Sequence, residues 1–109
     1  MKKPNTLPIL DQLKIPNEYR VFVDDEPRPP FAVWYIAAER FTGSDDMWQC
    51  KSSDYVIELY TIKKDTELEK KLEDIIPASD IEKTEEYFGG ENLFCNTYKY
   101  TTKNKRRLK

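Results

Sequence analysis

The stretch Asp54-Tyr-Val-Ile-Glu-Leu-Tyr-Thr-Ile-Lys-Lys-Asp-Thr-Glu-Leu-Glu-Lys-Lys-Leu-Glu-Asp-Ile-Ile76 changes its hydrophobic period partway along, and that change decides the fold. Up to Thr61 the chain alternates. Tyr55, Ile57 and Leu59 share one face, Val56, Glu58 and Tyr60 the other, and β-branched and aromatic residues dominate, which reads as a strand. Past Lys64 the period becomes 3.6: Leu68, Leu72, Ile75 and Ile76 form one stripe, while Glu67, Glu69, Lys70, Lys71, Glu73 and Asp74 point elsewhere. This is an amphipathic helix. Asp65 and Thr66 can cap its first free N–H groups, Thr66-x-x-Glu69 fits a capping box, and Pro77 stops it. A helix of about ten residues is marginal alone in water, so packing on a sheet must hold it. Burying four apolar side chains at ~1.5 to 3 kcal/mol each supplies up to roughly 12 kcal/mol, an upper bound because the unfolded chain is already partly collapsed.

Upstream, Phe31-Ala-Val-Trp-Tyr-Ile-Ala-Ala38 is apolar on both faces and reads as a strand covered on both sides or lying at a subunit contact. Glu39 to Asp46 contains Thr-Gly-Ser-Asp-Asp, a turn composition, and Met47 to Cys50 resumes an extended pattern leading into the organising strand. The two strands form a hairpin with an arm at its tip. Before them come a short helix over Thr6 to Lys14, with Thr6 as N-cap and Pro8 in its first turn, and an extended piece over Asn17 to Val23. The acidic, proline-rich Asp24 to Pro30 follows as a rigid loop. Downstream, Ile81 to Phe88 is extended, Gly89 to Asn92 is a turn, and Leu93 to Thr102 is a strand carrying Phe94, Tyr98 and Tyr100 on one face. The order helix, hairpin, helix, hairpin predicts an α+β domain over residues 1–102, with two helices on one face of a mostly antiparallel four-stranded sheet. Residues 103–109 form a basic, flexible tail.

At 109 residues the chain is one domain, large enough to bury a little over 60% of its extended surface, so a partner can usefully cover more. Charged residues make up 35%, but 14 aromatics exclude simple disorder. No apolar run reaches membrane-spanning length and the N-terminus lacks a signal-peptide core, which places the chain in the cytoplasm of its host. The net charge of −2 is unevenly spread. Residues 1–102 carry 13 basic and 20 acidic side chains, net −7, while Lys103, Lys105, Arg106, Arg107 and Lys109 crowd the end. The tail reads as a solvated terminus, or as a contact for phosphate or for an acidic neighbouring subunit.

Signals for chemistry are sparse. With no histidine, the usual general base near neutral pH is missing, and no glycine-rich phosphate loop or activated nucleophile is visible. Cys50 and Cys95 read as reduced core thiols. The pairs Asp24-Asp25 and Asp45-Asp46 read as turn formers rather than Ca²⁺ or Mg²⁺ ligands. No catalytic, cofactor or metal site is expected, and no small-molecule substrate. What stands out is apolar excess at the hairpin tip, where Phe41, Met47 and Trp48 border the loop holding Asp45 and Asp46. With Lys105, Arg106 and Arg107 of the tail, these are the candidate interface residues. Trp48 either anchors a protein contact or folds back on the core.

These residues carry a resemblance. Ile15-Pro16, Pro29-Pro-Phe31 entering a hydrophobic strand, Gly43-Ser-Asp-Asp46, Tyr55-Val-Ile-Glu-Leu-Tyr-Thr61, Lys63-Lys-Asp65 and Glu67-Leu-Glu-Lys-Lys-Leu-Glu73 make the chain resemble small minor structural proteins of long-tailed bacteriophages and prophages, of the tail-completion or tail-terminator type. The resemblance spans about Ile15 to Tyr100. It implies a non-enzymatic α+β protein of the virion, acting in tail completion or head-tail joining, that assembles in the host cytoplasm as a ring, often a hexamer. Its implied partners are copies of itself and other tail or connector proteins, with DNA passing close by. The chain departs from the pattern in its less glycine-rich tip with Trp48 and in its basic extension. A different class stays open: a small nucleic-acid-binding regulator using the basic tail and the strand tyrosines Tyr98 and Tyr100.

Overall fold

The computed structural model describes residues 6–22, 26–43 and 47–108. Its elements run α1 (Pro8–Asp11), β1 (Asn17–Tyr19), β2 (Phe31–Gly43), β3 (Trp48–Thr61), α2 (Thr66–Ile75), β4 (Glu82–Phe88) and β5 (Leu93–Arg107). The strands make one sheet in the order β1-β2-β3-β5-β4. β1 runs parallel to β2 and every other pairing is antiparallel.

Alternation along the strands gives the sheet two faces. Ala32 and Trp34 of β2, Ile57 and Leu59 of β3, and Tyr98 and Tyr100 of β5 share one face, and the helices cover it with Leu10, Leu72 and Ile76. Across this face runs an aromatic ladder. Trp34 meets Tyr19 edge-on with centroids 4.8 Å apart, Tyr55 lies 6.2 Å from Trp34, and Tyr55 and Tyr100 stack at 5.3 Å. The opposite face carries Phe31, Val33 and Val56, and Phe22 from the preceding loop folds over Phe31 with centroids 5.4 Å apart. Both faces of β2 are therefore buried from Phe31 to Trp34.

The expected four-stranded, mostly antiparallel sheet is corrected to a five-stranded mixed one in which strand predominates and both helices are short. The fifth strand, β1, has no apolar alternation to reveal it. It is held by backbone pairing to β2 and by Asn17, whose Oδ1 accepts from the Leu7 N–H at 2.8 Å while Nδ2 donates to Asp11 at 3.0 Å. α1 covers four residues rather than the nine expected. Its N-cap is Leu7, and Thr6 donates to Asp11 instead of capping. α2 lies where the periodicity puts it, but Asp65 is the N-cap, accepting from the Leu68 N–H at 3.0 Å, so the Thr66 capping box does not form. Glu69, expected to point away, is buried.

β2 and β5 run beyond their expected ends at Ala38 and Thr102, to Gly43 and Arg107. Residues 103–107, expected as part of a flexible basic tail, continue β5 opposite β3. The radius of gyration is 16.0 Å, against about 13 Å for a compact chain of this length. The difference is the projection of these strand ends past the helix-covered body.

Candidate functional site

β1 accompanies β2 only as far as Trp34, and β4 begins at Glu82 opposite Lys99. Beyond those points β2, β3 and β5 continue alone as a three-stranded arm. A β-bulge at Ala37 marks its root, where the register of β2 against β3 shifts by one residue. The arm is not covered by a helix, so no apolar alternation is required of it, and cross-strand polar pairs hold it instead.

At the root Arg40 grips Asp54 with two guanidinium bonds of 2.8 Å, and Thr101 donates to the same carboxylate at 2.7 Å. The Arg40 bonds, then Thr101, hold the Asp54 carboxyl down at about 2. One clasp thus joins all three strands. On the helix side of the arm Glu39 accepts from Lys51 at 3.0 Å and from Ser53 at 3.1 Å, and the Lys51 bond lowers its pKa.

Further out the expected contact residues appear. Phe41, 50% exposed, lies between the Lys51 ammonium at 5.8 Å and the Arg106 guanidinium at 5.6 Å from its ring centroid. Trp48 is opposite Arg107 on the other side of the sheet, 6.0 Å from centroid to guanidinium. Leu108 closes the tip by donating its N–H to the Met47 carbonyl at 2.7 Å. Trp48 points away from the helix-covered core, and Met47 is also exposed. Asp45 and Asp46 lie outside the described residues.

The structure therefore brings Phe41, Met47, Trp48, Lys105, Arg106 and Arg107, which the sequence divides between a hairpin tip and a terminus, onto one element. Sequence reasoning missed Lys51 and the Arg40–Asp54–Thr101 clasp. Both ion pairs are diagonal, Arg40 standing opposite Ser52 and Glu39 opposite Ser53, so they show only once the strand register is known. Among described residues the arm carries Arg40, Lys51, Lys103, Lys105, Arg106 and Arg107 against Glu39 and Asp54.

A second polar cluster sits in the body. Glu69 of α2, 3% exposed, accepts from Lys64 at 2.9 Å, Lys83 at 2.8 Å and Asn96 at 3.2 Å. Lys83 also reaches Glu73, which accepts from the Tyr98 hydroxyl at 2.9 Å, and Lys64 pairs with Glu85. Burial pushes the Glu69 carboxyl up, but its two lysines outweigh this and hold it below its ordinary value. With every charge answered and the helix tied to the sheet by it, this cluster reads as structural.

Tyr98 and Tyr100 are buried beneath the helices at 0% and 5% exposure, and burial raises both phenol pKa values. They offer no stacking surface. Cys95 is buried, which pushes its thiol up, and Cys50 sits half-buried on the arm. Ten residues of β5 separate Cys95 from Lys105, the partner of Cys50, placing the two thiols about 33 Å apart. Among the described residues no cluster of three or more Cys, Asp or Glu side chains is gathered to hold a metal ion, and no helix is long and apolar enough to cross a membrane. No family model matches the chain, and no curated protein matches it in sequence.

Proposed function

We propose that this chain is a non-enzymatic structural subunit of a long-tailed phage or prophage virion, acting in tail completion or head-tail joining by assembling with copies of itself and with tail or connector proteins. The observation that carries the reading is the arm. It projects beyond the core, both of its outer strands lack a neighbour among the described residues, and it displays Phe41 and Trp48 on opposite faces. A sheet extension of this kind exposes backbone donors and acceptors along two edges, which suits a subunit completed by its neighbours. A ring, often hexameric in the proteins the sequence resembles, is the assembled form this reading implies, with the host cytoplasm as the place of assembly.

The test is to induce the prophage, purify its particles and look for the chain by mass spectrometry, with electron microscopy of particles from a strain lacking the gene. The reading expects the protein in the particles, and unjoined or irregular tails without it. Particles of normal form that lack the protein overturn it.

A nucleic-acid-binding reading keeps one supporting observation, the cations of the arm interleaved with Phe41 and Trp48. Because Tyr98 and Tyr100 are buried, it must rest on those two rings and the basic strand end. Fluorescence anisotropy with labelled DNA over a salt series checks it: micromolar or tighter binding that weakens steeply with salt favours it over the virion reading.

A further inference from the structure

The sheet ends on its β4 side in a step. β4 spans seven residues, Glu82–Phe88, and covers β5 from Leu93 to Lys99, after which β5 runs on from Tyr100 to Arg107 with no neighbour on that side among the described residues. The notch beside the arm is eight residues long and β4 is seven, so a strand like β4 fits it. A half-turn about the sheet normal, placed at the end of β4, puts the β4 strand of a second copy into the notch and that copy's arm against the outer edge of the first β4.

We propose that two copies of this chain pair in this interlocked way, each arm of β5 lying parallel to the partner's β4 in one continuous sheet. The contact is isologous: the same two segments meet twice. Charge supports the choice of partner. β4 is acidic on the face away from the helices, where Glu82 and Glu86 make no ion pair among the described residues, and the arm carries Lys103 and Lys105 on that same face, also without an ion pair. Setting Glu82 beside Thr101 runs Glu86 beside Lys105 and Phe88 beside Arg107, and places Glu85 and Tyr87 by Asn104 and Arg106 on the helix side. Between neighbouring strands no like charges meet in this register; the two Glu82 side chains approach each other across the two-fold axis, two positions apart along the strand line. Both edges are strands with unpaired backbone groups, so main-chain bonds supply the joint and the charges set its register. The inference goes beyond the virion reading and does not depend on it.

Cross-linking tests it directly. Within one chain Glu86 and Lys105 are ten residues apart along β5, about 33 Å, so a disulfide between cysteines at these positions can form only between copies. Glu86→Cys and Lys105→Cys chains, each also carrying Cys50→Ser and Cys95→Ser because Cys95 lies directly across from residue 86 and could trap it within the chain, are expected to cross-link when mixed and not when oxidised separately. By sedimentation velocity the wild type is expected at twice its 13.0 kDa chain mass. Glu86→Lys or Lys105→Glu alone is expected to weaken the pair by about tenfold, since each change acts at both joints, and the double swap to restore it. Glu86 and Lys105 are exposed, Cys50 is half-buried and Cys95 buried, and circular dichroism checks that each variant folds. A strict monomer at high concentration overturns the proposal, as does association indifferent to both charge reversals. A larger ring with no cross-link between these positions also overturns the pairing while leaving the virion reading in place; a cross-linked pair absent from phage particles does the reverse.

Discussion

Lys83 of β4 reaches across to Glu69 of α2, Nζ 2.8 Å from Oε1, and so fastens the main helix to the edge strand of the sheet. The lysine is about a third exposed while the carboxylate is buried, which makes the two ends unequal. Truncating Lys83 leaves Glu69 with Lys64 and Asn96. Truncating Glu69 strands Asn96 in the core, while Lys64 keeps Glu85 and Lys83 keeps Glu73. Glu69→Ala is expected to lower stability by about 1 to 3 kcal/mol and Lys83→Ala by less. Urea unfolding of both variants checks the order, and a larger loss for Lys83→Ala contradicts it.

Stability should fall on acidification in two windows. Glu69 and Asp54 both have folded pKa values below their ordinary ones, 4.5 and 3.8, so their contributions are fully present above those values and are lost as the pH falls through the folded ones. For Asp54 that window ends at about 2. At the alkaline end, Lys64 and Lys83 are raised above 10.5, so their share is present below that value and fades as the pH rises past it. Melting temperature against pH is expected to fall below 4.5, with Glu69→Gln flattening the upper part of the fall and Asp54→Asn the lower part.

Leu72 is fully buried at the centre of the helix-sheet contact. Leu72→Ala is expected to cost about 2 to 5 kcal/mol, and Leu72→Asp to unfold the chain. Chemical denaturation of the first and circular dichroism of the second measure this.

Leu72 also shows what the sequence made legible. Where a residue's neighbours are set by local period, as in α2, β3 and the first part of β5, the right element was legible because one buried face imposes a pattern; β4, exposed along its whole length, was placed by the Gly89 to Asn92 turn instead. The partners of Asn17, Glu69 and Arg106 escaped for the opposite reason. Each of these three residues is polar, and each earns its place through a partner far along the chain: Leu7 and Asp11 for the first, Lys83 and Asn96 for the second, Phe41 for the third. The tip and the terminus were both singled out, but their union on one arm depends on a strand register that no local pattern encodes.

Truncation after Thr102 removes the strand that flanks β3 in the arm and leaves the buried part of β5 in place. The body is expected to keep a cooperative melt. Amide exchange should quicken in residues 39–43 and 48–53, where a two-stranded hairpin is only marginally stable. Hydrogen exchange read by mass spectrometry distinguishes this from global loss of protection.

Trp48→Ala tests the arm as a contact surface. The indole lies outside the core beside Arg107, so its loss is expected to change stability by about 1 kcal/mol or less. Assembly with copies or with tail proteins should weaken measurably, as followed by light scattering. Undiminished assembly would remove Trp48 from the interface.

The bulge at Ala37 separates two properties of the arm that travel together in most hairpins. The residues beyond it pair at a register one residue away from those before it, and Ala37 is the extra one. Removing it would leave Ala38 opposite Asp54 and Phe41 opposite Lys51, with every ion pair intact, but would relax the bend and added twist that a bulge imposes. Direction is thus adjustable by a single deletion, without touching a charged or aromatic group. A lineage could re-aim the arm at a differently shaped neighbour while keeping its adhesive chemistry unchanged.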